Sequence, residues 1–284
     1  MKRLFYFFLL FSSMTFVGCS TAKKSLTMNV ASYNILMDTK RDHPNAWKYR
    51  REMVKEIIRF HDFDIVGTQE AFQHQLNDIL ELGNYAYTGS GRDDGKDGGE
   101  HSAILYKKDR FELLDSGDFW YSETPDVPGK GWDATCCNRI CSWAKFKEKE
   151  SGKQFFVFNS HYDHEGLEAR RNSSLLLLKK IEEITGGKGV VFCTGDFNAT
   201  PDDEPIRILR EDGRLKDSYL VTAQPPYGTE GTFNGFRQDS PLKERIDYVW
   251  VTEGVTVNKY GVLNMMPYYR FPSDHFPVLV NVTF

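Results

Sequence analysis

The sequence lacks several features that would narrow its function at once. It has five cysteines in 284 residues and no CxxC pair, which disfavours a zinc site. It has no internal repeat and no low-complexity tract, and its charge is close to balanced, with a net charge of −4 and a pI of about 6.0. Proteins that grip long nucleic acids usually carry a basic face. A nucleic-acid partner is therefore allowed but not favoured.

Long apolar runs are also absent, except at the amino terminus. Residues 4–17 are mostly apolar and follow two basic residues, but this run is too short for a membrane-spanning helix and is typical of a signal peptide. The following FVGC, residues 16–19, resembles a bacterial lipobox, although Leu is usual at its first position. The alternative is an ordinary secretory signal with an incidental cysteine.

We therefore expect three segments. Residues 1–19 are predicted to be a signal peptide with Cys19 as the lipidated residue, residues 20–26 a tether, and residues 27–284 one folded domain. The protein would then be an exported cell-envelope lipoprotein, in the periplasm or on the outer-membrane surface. Its membrane contact would be the lipid anchor only, and we expect it to be a monomer.

Cysteine pairing stays open at this point. Export permits disulfides. Cys136 and Cys137 are adjacent in the chain, and neighbouring cysteines rarely bridge each other without strain. Cys193 lies in an apolar run and is predicted to be a small buried residue.

The rest of the chain alternates short apolar, β-branched runs with two helical patterns. Residues 46–60 and 167–184 carry apolar side chains at helical spacing, and Gly186 and Gly187 end the second helix. Strands are predicted at residues 28–36, 64–68, 103–106, 140–146, 155–159, 190–194, 246–251, 255–263 and 278–282. Many strands and few helices along the whole chain indicate two packed sheets flanked by helices.

Segments rich in glycine, proline or aspartate are predicted to be loops that hold the substrate. They are residues 89–99, 119–134 and 223–241. Trp120, Tyr121 and Trp132 lie in the second of them. Such aromatic side chains either stack on a substrate or fix the loop in place, and the sequence leaves both interpretations open.

Several predicted strands end on polar side chains of one chemical type. The oxygen-bearing ones are Asn34, Glu70, Asp196, Asn198 and Asp274. Each of them alone is typical of a helix cap or a turn, but together they are the hard ligands that Mg²⁺, Mn²⁺ or Ca²⁺ prefers. His161 and His275 lie at equivalent strand ends. Phosphate-ester hydrolysis needs this mixture of a cation site, a base for water and a donor to the developing oxyanion.

Short motifs follow one another in a characteristic order. They are SYNI (32–35), TQE (68–70), NSHYDH (159–164), GDFN (195–198), GTF (231–233), RIDYVWV (245–251) and SDHFPV (273–278). This set, of which GDFN and SDH are the most specific, resembles that of the endonuclease/exonuclease/phosphatase superfamily with its DNase I-like fold. The resemblance implies a four-layer α/β sandwich, in which two packed mixed β-sheets are flanked by helices and the site lies at one rim.

The resemblance also implies roles for the metal-site residues. Glu70 is expected to be the main metal ligand, with Asn34 and Asp274 beside it. Asp196 and Asn198 are expected to orient the attacking water or to hold a second metal, and Asn198 also to donate to the phosphate. The implied cofactor is Mg²⁺, or alternatively Mn²⁺ or Ca²⁺.

The remaining roles concern the phosphate. His275 is expected to be the acid/base histidine, with Asp247 hydrogen-bonded to it so that its tautomer is fixed and its pKa raised. His161 resembles a second phosphate-facing histidine. Glu100 is expected to orient His161 and is counted among the substrate-binding residues. Thr232 resembles a hydroxyl that touches the phosphate.

Two arginines and the general base are less determined. Arg170, beside Arg171 on the start of a helix, and Arg139, before a strand, either contact phosphate or lie on a solvated face. The base is Asp196 or one of the two histidines, and our working hypothesis is Asp196.

The expected function is that of an exported phosphoesterase. It would use a divalent metal and water to hydrolyse a phosphomonoester or phosphodiester such as a nucleotide, a sugar phosphate or a lipid headgroup. The alternative in the same class is a nuclease, or a nocturnin- or deadenylase-like 3'-5' exonuclease acting on RNA or DNA. Alternatives in other classes are a non-catalytic binding module with a metal site and a glycosidase, which uses paired carboxylates without a metal.

Overall fold

The computed structural model describes residue 1, residues 25–38 and residues 44–284. The predicted signal peptide, with Cys19, and most of the predicted tether lie outside the described residues. In the part of the chain that is described, no helix combines the length and the apolar character needed to cross a membrane.

Strands and helices are distributed along the described part of the chain. The first half contains β1 (Thr27–Asn34), α1 (Trp47–Phe60), β2 (Ile65–Gln69), α2 (Gln73–Leu80), β3 (Tyr85–Thr88), β4 (Ile104–Lys107), β5 (Phe111–Trp120) and β6 (Ile140–Glu148). The second half contains β7 (Gln154–His161), α3 (Leu167–Thr185), β8 (Val190–Asp196), α4 (Glu204–Asp212), β9 (Leu215–Asp217), α5 (Ser218–Val221), β10 (Asp247–Thr252), β11 (Thr256–Val262), a 3₁₀ turn (Pro267–Tyr269) and β12 (Val278–Thr283).

Within residues 25–38 and 44–284, the strands form two six-stranded sheets. The first has the order β11-β12-β1-β2-β4-β3 and the second the order β5-β6-β7-β8-β10-β9. Both are mixed, because β1 is parallel to β2 and antiparallel to β12, while β7 is parallel to β8 and antiparallel to β6. Helices α1 and α2 cover the first sheet, and α3 and α4 cover the second. The predicted four-layer sandwich is confirmed.

Side-chain alternation divides each strand between two cores. In β1, Met28 and Val30 pack between the two sheets, whereas Ala31 and Tyr33 pack against the helices on the outer face. In β8, Phe192 faces the inner core and Cys193 the outer one. Because the side-chain period of a strand is two residues, each strand has one face that runs along the space between the sheets.

That inner space changes from apolar to polar along the strands. Beyond its apolar part, Gln69 and Asn159 meet across the two sheets, with the Gln69 amide nitrogen donating to Asn159 Oδ1 at 2.7 Å. The hydroxyl of Thr194 donates to the same oxygen at 2.9 Å. At Gly67 a Cβ atom would lie 2.0 Å from the Thr194 hydroxyl oxygen, so only glycine fits beside this buried network. The network joins the sheets directly below the rim where the strands end.

The two predicted helices are present, and α3 ends as expected at Gly186, which has a φ of 63°. The sequence patterns did not predict α2, α4, α5 or the strands β3, β5 and β9. β5 is an edge strand whose pairing with β6 shifts between Leu113 and Asp115, so its apolar residues do not alternate regularly. Its last residues, Phe119 and Trp120, begin the segment that was predicted to be a loop.

Candidate active site

The inner faces of several strands end in polar side chains. Along β8, Phe192 and Thr194 face inward, so Asp196 two residues further does as well. The same spacing leads from Val157 through Asn159 to His161 in β7. These strands therefore bring their last side chains to one rim between the sheets, as does β1 with Asn34. β10 runs antiparallel to β8 and begins at the same rim with Asp247.

The acidic groups at this rim lie close together. The amide nitrogen of Asn34 donates to Glu70 Oε1 and to Asp196 Oδ2, both at 3.0 Å. Asp196 Oδ2 is also 3.6 Å from His161 Nε2 and 3.7 Å from His275 Nε2. Asp196 thus lies at the centre of the cluster and is almost completely buried.

The backbone at two of these positions is held in the left-handed region. Glu70 has a φ of 61° and Asn198 a φ of 46°. Asn adopts this conformation readily, but Glu does so at a cost in free energy, and such outliers are concentrated at functional sites. Asn198 is fixed further by its backbone N–H, which donates to Asp196 Oδ1 at 3.0 Å, and by its side-chain amide, which donates to the Tyr162 carbonyl oxygen.

Asn34 lies at the expected place but presents its nitrogen to the acids. Its oxygen accepts the backbone N–H of Leu36 at 3.0 Å, so in this arrangement the side chain connects Glu70 and Asp196 instead of offering an oxygen ligand. This arrangement positions two carboxylates, and the expected role of Asn34 as a metal ligand stays a prediction. Asp274 lines the same cavity and its negative charge reaches Glu70.

Burial and mutual repulsion hold protons on these acids more tightly than usual. Burial, followed by the charge of Asp274, raises the pKa of Glu70. Burial likewise raises the pKa of Asp196 to about 6. A divalent cation would relieve this repulsion, and carboxylate oxygens are the donors that Mg²⁺ prefers. The donor set fits such an ion, since ligand atoms of Glu70, His161 and Asp196 all lie within 4.8 Å of one another.

His275 and Asp247 form the expected buried pair. His275 Nδ1 donates to Asp247 Oδ2 at 2.8 Å. Burial alone would lower the pKa of His275, but the carboxylates of Asp247 and Asp196 outweigh it and raise the pKa well above its usual value. His275 therefore presents a proton on Nε2 to the cavity at neutral pH.

His161 has the opposite charge state. Burial, followed by the positive charges of Arg139 and Arg92, holds the pKa of His161 well below its usual range. Glu100 Oε2 is 3.7 Å from His161 Nδ1, but the principal partner of Glu100 is Arg92, with bonds of 2.6 and 2.7 Å to its two oxygens. Burial raises the pKa of Glu100 to about 7 against the opposing effect of Arg92.

A cavity of about 380 Å³ opens above these groups. It is lined by Met37, Glu70, Arg92, Glu100, Cys136, Cys137, Arg139, His161, His164, Asp196, Asn198, Phe233, Glu244, Ile246, Asp274 and His275. Most of the residues expected to form the site are in this set. Asn34 and Asp247 lie directly behind it, in contact with Asp196 and His275.

Two expected phosphate contacts are placed elsewhere and are corrected. Thr232 is fully buried, and its hydroxyl oxygen accepts the backbone N–H groups of Ile246 and Asp247 at 3.1 and 3.2 Å. It fixes the start of β10 instead of lining the cavity. Arg170 donates to the Asp163 carbonyl oxygen at 3.1 Å and also lies outside the lining, because the first turn of α3 directs it to the loop before the helix.

Arg139 lines the cavity, as one of its two interpretations required, and Arg92 joins it there. Arg139 is buried and donates to His164 Nδ1 at 2.6 Å. Sequence analysis missed Arg92, since the Gly- and Asp-rich loop that carries it has no strand pattern to indicate where the side chain lies. The only signal was the basic side chain within a predicted substrate loop.

The loop after β5 is fixed by its aromatic residues and carries a disulfide. Trp120 Nε1 donates to the Arg92 carbonyl oxygen at 2.7 Å, and the Tyr121 hydroxyl bonds to the Ser160 hydroxyl at 2.6 Å. These contacts support the interpretation in which the aromatic side chains fix the loop. Further along, Cys136 and Cys137 are bonded to each other, a pairing that the sequence left open.

Residues 31–275 match the sequence model of the Endonuclease/Exonuclease/phosphatase family. This chain belongs to that family. It is accordingly a metal-dependent hydrolase that acts on phosphate esters, with acidic and histidine side chains placed to hold a divalent ion.

Solved structures of other proteins share this fold. A mannosyl-6-phosphatase from Bacteroides thetaiotaomicron is 44% identical, with a TM-score of 0.86 over 90% of this chain and 100% of that one. Another family protein from the same organism is 43% identical, with a TM-score of 0.88 over 93% and 97% of the two chains. The human nocturnin catalytic domain is 21% identical with a TM-score of 0.72, over 91% and 96%, a likeness of fold alone.

Curated relatives are more distant in sequence. An uncharacterized protein of Acanthamoeba polyphaga mimivirus is 31% identical and is covered over 91% of its length, by 82% of this chain. The Ccr4 exoribonuclease subunit of Emericella nidulans is 22% identical over 89% of this chain, which spans about half of that subunit, 51% of its length.

Proposed function

We propose that this protein is a Mg²⁺-dependent phosphatase that removes a terminal phosphate from a sugar phosphate. The observation that carries the proposal is the division of charge in the cavity. Glu70, Asp196 and Asp274 form its acidic side, and two arginines, the half-buried Arg92 and the buried Arg139, line it as well. A cation held by the acids and two guanidinium groups together match the two negative charges of a phosphomonoester.

The size of the cavity and one similar protein support the same substrate class. A space of about 380 Å³ is in the range of pockets for small molecules. The 44% identical structure from Bacteroides thetaiotaomicron is a mannosyl-6-phosphatase. A hexose phosphate is therefore the substrate that we propose to test first.

The side chains divide the chemical work between them. Asp196 has a raised pKa of about 6, so at neutral pH it is ionised and able to accept the proton of the attacking water. His275 is protonated on both ring nitrogens, so its Nε2–H donates to the phosphate while Asp247 accepts from Nδ1 and stabilises the charged ring. Neutral His161 and the Asn198 side chain complete the phosphate contacts. When bound, the cation supplies positive charge that stabilises the oxygens on which negative charge develops.

A substrate panel tests the proposal. The purified enzyme is assayed with mannose 6-phosphate, glucose 6-phosphate, a nucleoside monophosphate, RNA, DNA and sphingomyelin, each after treatment with EDTA and after addition of Mg²⁺ or Mn²⁺. We expect the hexose phosphates to have the highest kcat/KM and the activity to need the added metal. Preferred hydrolysis of RNA or DNA would replace the proposal with the nuclease alternative, and activity that EDTA leaves intact would contradict the metal requirement.

We further propose that the protein is an exported lipoprotein anchored through Cys19, with residues 27–284 as a monomeric catalytic domain. The apolar run and the lipobox-like FVGC in the sequence support this. Metabolic labelling with a fatty-acid analogue should mark the full-length protein but not its Cys19→Ala variant. Equal labelling of the two, or no labelling of either, would contradict the anchor.

A further inference from the structure

The Cys136–Cys137 disulfide lies in the wall of the catalytic cavity. Both residues line it; Cys136 is exposed and Cys137 is half-buried. Among the described cysteines, Cys141 and Cys193 are free and fully buried in the outer core. Among the described cysteines, the bonded pair is therefore the one whose sulfur atoms a molecule in the cavity can contact.

Hydrogen bonds on both sides fix the position of the disulfide. The Thr135 hydroxyl donates to the carboxylate of Glu165. The Asn138 amide donates to the Arg92 carbonyl oxygen at 3.2 Å, and Arg139 follows directly with its bond to His164. The pair is thus held between the segments that carry the arginine and histidine groups of the cavity.

The chemistry of this surface differs from that of its neighbours. A disulfide has no ionisable proton and no hydrogen-bond donor, and its sulfur atoms are polarisable and apolar in character. Bonding two adjacent residues closes a small ring that has few conformations, so the surface loses little entropy when a ligand packs on it. The charged groups beside the disulfide are those proposed to hold the phosphate. The part of the substrate that contacts the disulfide is therefore the alcohol to which the phosphate is esterified.

We propose that the Cys136–Cys137 disulfide is a specificity-determining surface that packs against the sugar ring of the phosphomonoester. Phe233 and Ile246 add apolar lining to the same cavity, and Glu244 adds an exposed carboxylate that is able to accept sugar hydroxyls. This inference rests on the proposed sugar-phosphate phosphatase function. It predicts that opening the disulfide weakens binding of a ring-bearing substrate more than that of a substrate without a ring.

The experiment compares mannose 6-phosphate with methyl phosphate, for the wild type and the Cys136→Ala/Cys137→Ala variant. Each protein is assayed with and without prior reduction by a thiol-free phosphine. For the variant and for the reduced wild type we expect the ratio of kcat/KM between mannose 6-phosphate and methyl phosphate to fall about 10-fold, mainly through KM, as for the loss of one or two packed methylene groups. Reduction of the variant should change nothing further, because the other described cysteines, Cys141 and Cys193, are already free thiols.

The possible results separate the two proposals. If the wild type hydrolyses mannose 6-phosphate but the ratio is the same in the variant and after reduction, the disulfide proposal is overturned and the function stands. If the wild type hydrolyses no sugar phosphate, both are overturned. Mass spectrometry of the alkylated native protein provides a further check, since free thiols at Cys136 and Cys137 would overturn the disulfide proposal. Should the variant fail to fold, the reduced wild type gives the decisive ratio.

Discussion

The cavity has two walls that are built in different ways. In the first wall, His161 and Asp196 are the last inward-facing side chains of β7 and β8, and Asp247, the first residue of the antiparallel β10, lies directly behind them. The sheets themselves therefore fix these positions. In the second wall, Arg92, Arg139 and the bonded cysteines lie outside the strands and are held by bonds between distant segments. From this comparison we infer that the sheets position the catalytic side chains, whereas the second wall selects the substrate.

The largest effect on activity is expected from a substitution in the first wall. Replacing Asp196 by Asn removes the proposed base and should lower kcat by a factor of about 10² to 10⁴ on every phosphate ester. The shape of the side chain is kept, so urea unfolding should remain close to that of the wild type. A variant with nearly wild-type kcat would exclude Asp196 as the base and leave the histidines as candidates.

The second wall should respond differently to different substrates. In Arg92→Lys the bidentate contact with Glu100 is lost and a planar guanidinium is replaced by a point charge. We expect kcat/KM to fall about 10- to 100-fold for a phosphomonoester and less for a phosphodiester, which has one charge fewer. The matched control is Arg171→Lys, since Arg171 bonds to Glu204 on the surface. Equal losses for both substrates would show that Arg92 does not select on charge.

The charge of His275 depends on its hydrogen-bond partner Asp247. Because Asp247 raises the pKa of His275, Asp247→Asn should lower that pKa, which NMR of the metal-free protein measures. A raised pKa contributes stability that is fully present below the unfolded value of about 6.5 and is lost as the pH rises through the folded value. The variant should lack most of this pH dependence. An unchanged titration would contradict the assigned pairing.

The smallest effect on activity is expected from glycine replacements. They test how closely the side chains pack around each glycine. In Gly67→Ala the new Cβ would lie 2.0 Å from the Thr194 hydroxyl oxygen and 2.3 Å from Asn159 Oδ1. We expect the free energy of unfolding to fall by about 1 to 3 kcal/mol. Gly129→Ala, in the loop that carries the second wall, is the control, since its nearest neighbours would be 4.0 Å away. Equal unfolding midpoints for the two variants would contradict the tight packing inferred around Gly67.

The same contrast explains what the sequence could predict. Asp196 and His161 were identifiable because each follows an apolar strand and belongs to an ordered motif, and the two-residue period then determines the face. Arg92 and the Cys136–Cys137 bond have no such signal, because bonds to residues far away in the chain position them. Thr232 belongs to a motif as well, but a motif gives the place of a residue without saying which neighbours its hydroxyl contacts. Patterns in the sequence thus predict the residues of the first wall better than those of the second wall.

The central claim is that Glu70 and its neighbouring carboxylates hold a divalent cation. Calorimetric titration of Mn²⁺ into the chelator-treated wild type and into a Glu70→Ala/Asp274→Ala variant tests it most directly. The account predicts saturable binding to the wild type and its loss in the variant, while thermal unfolding shows that both proteins are folded. Identical binding curves for the two proteins, or no binding to the wild type, would contradict the account.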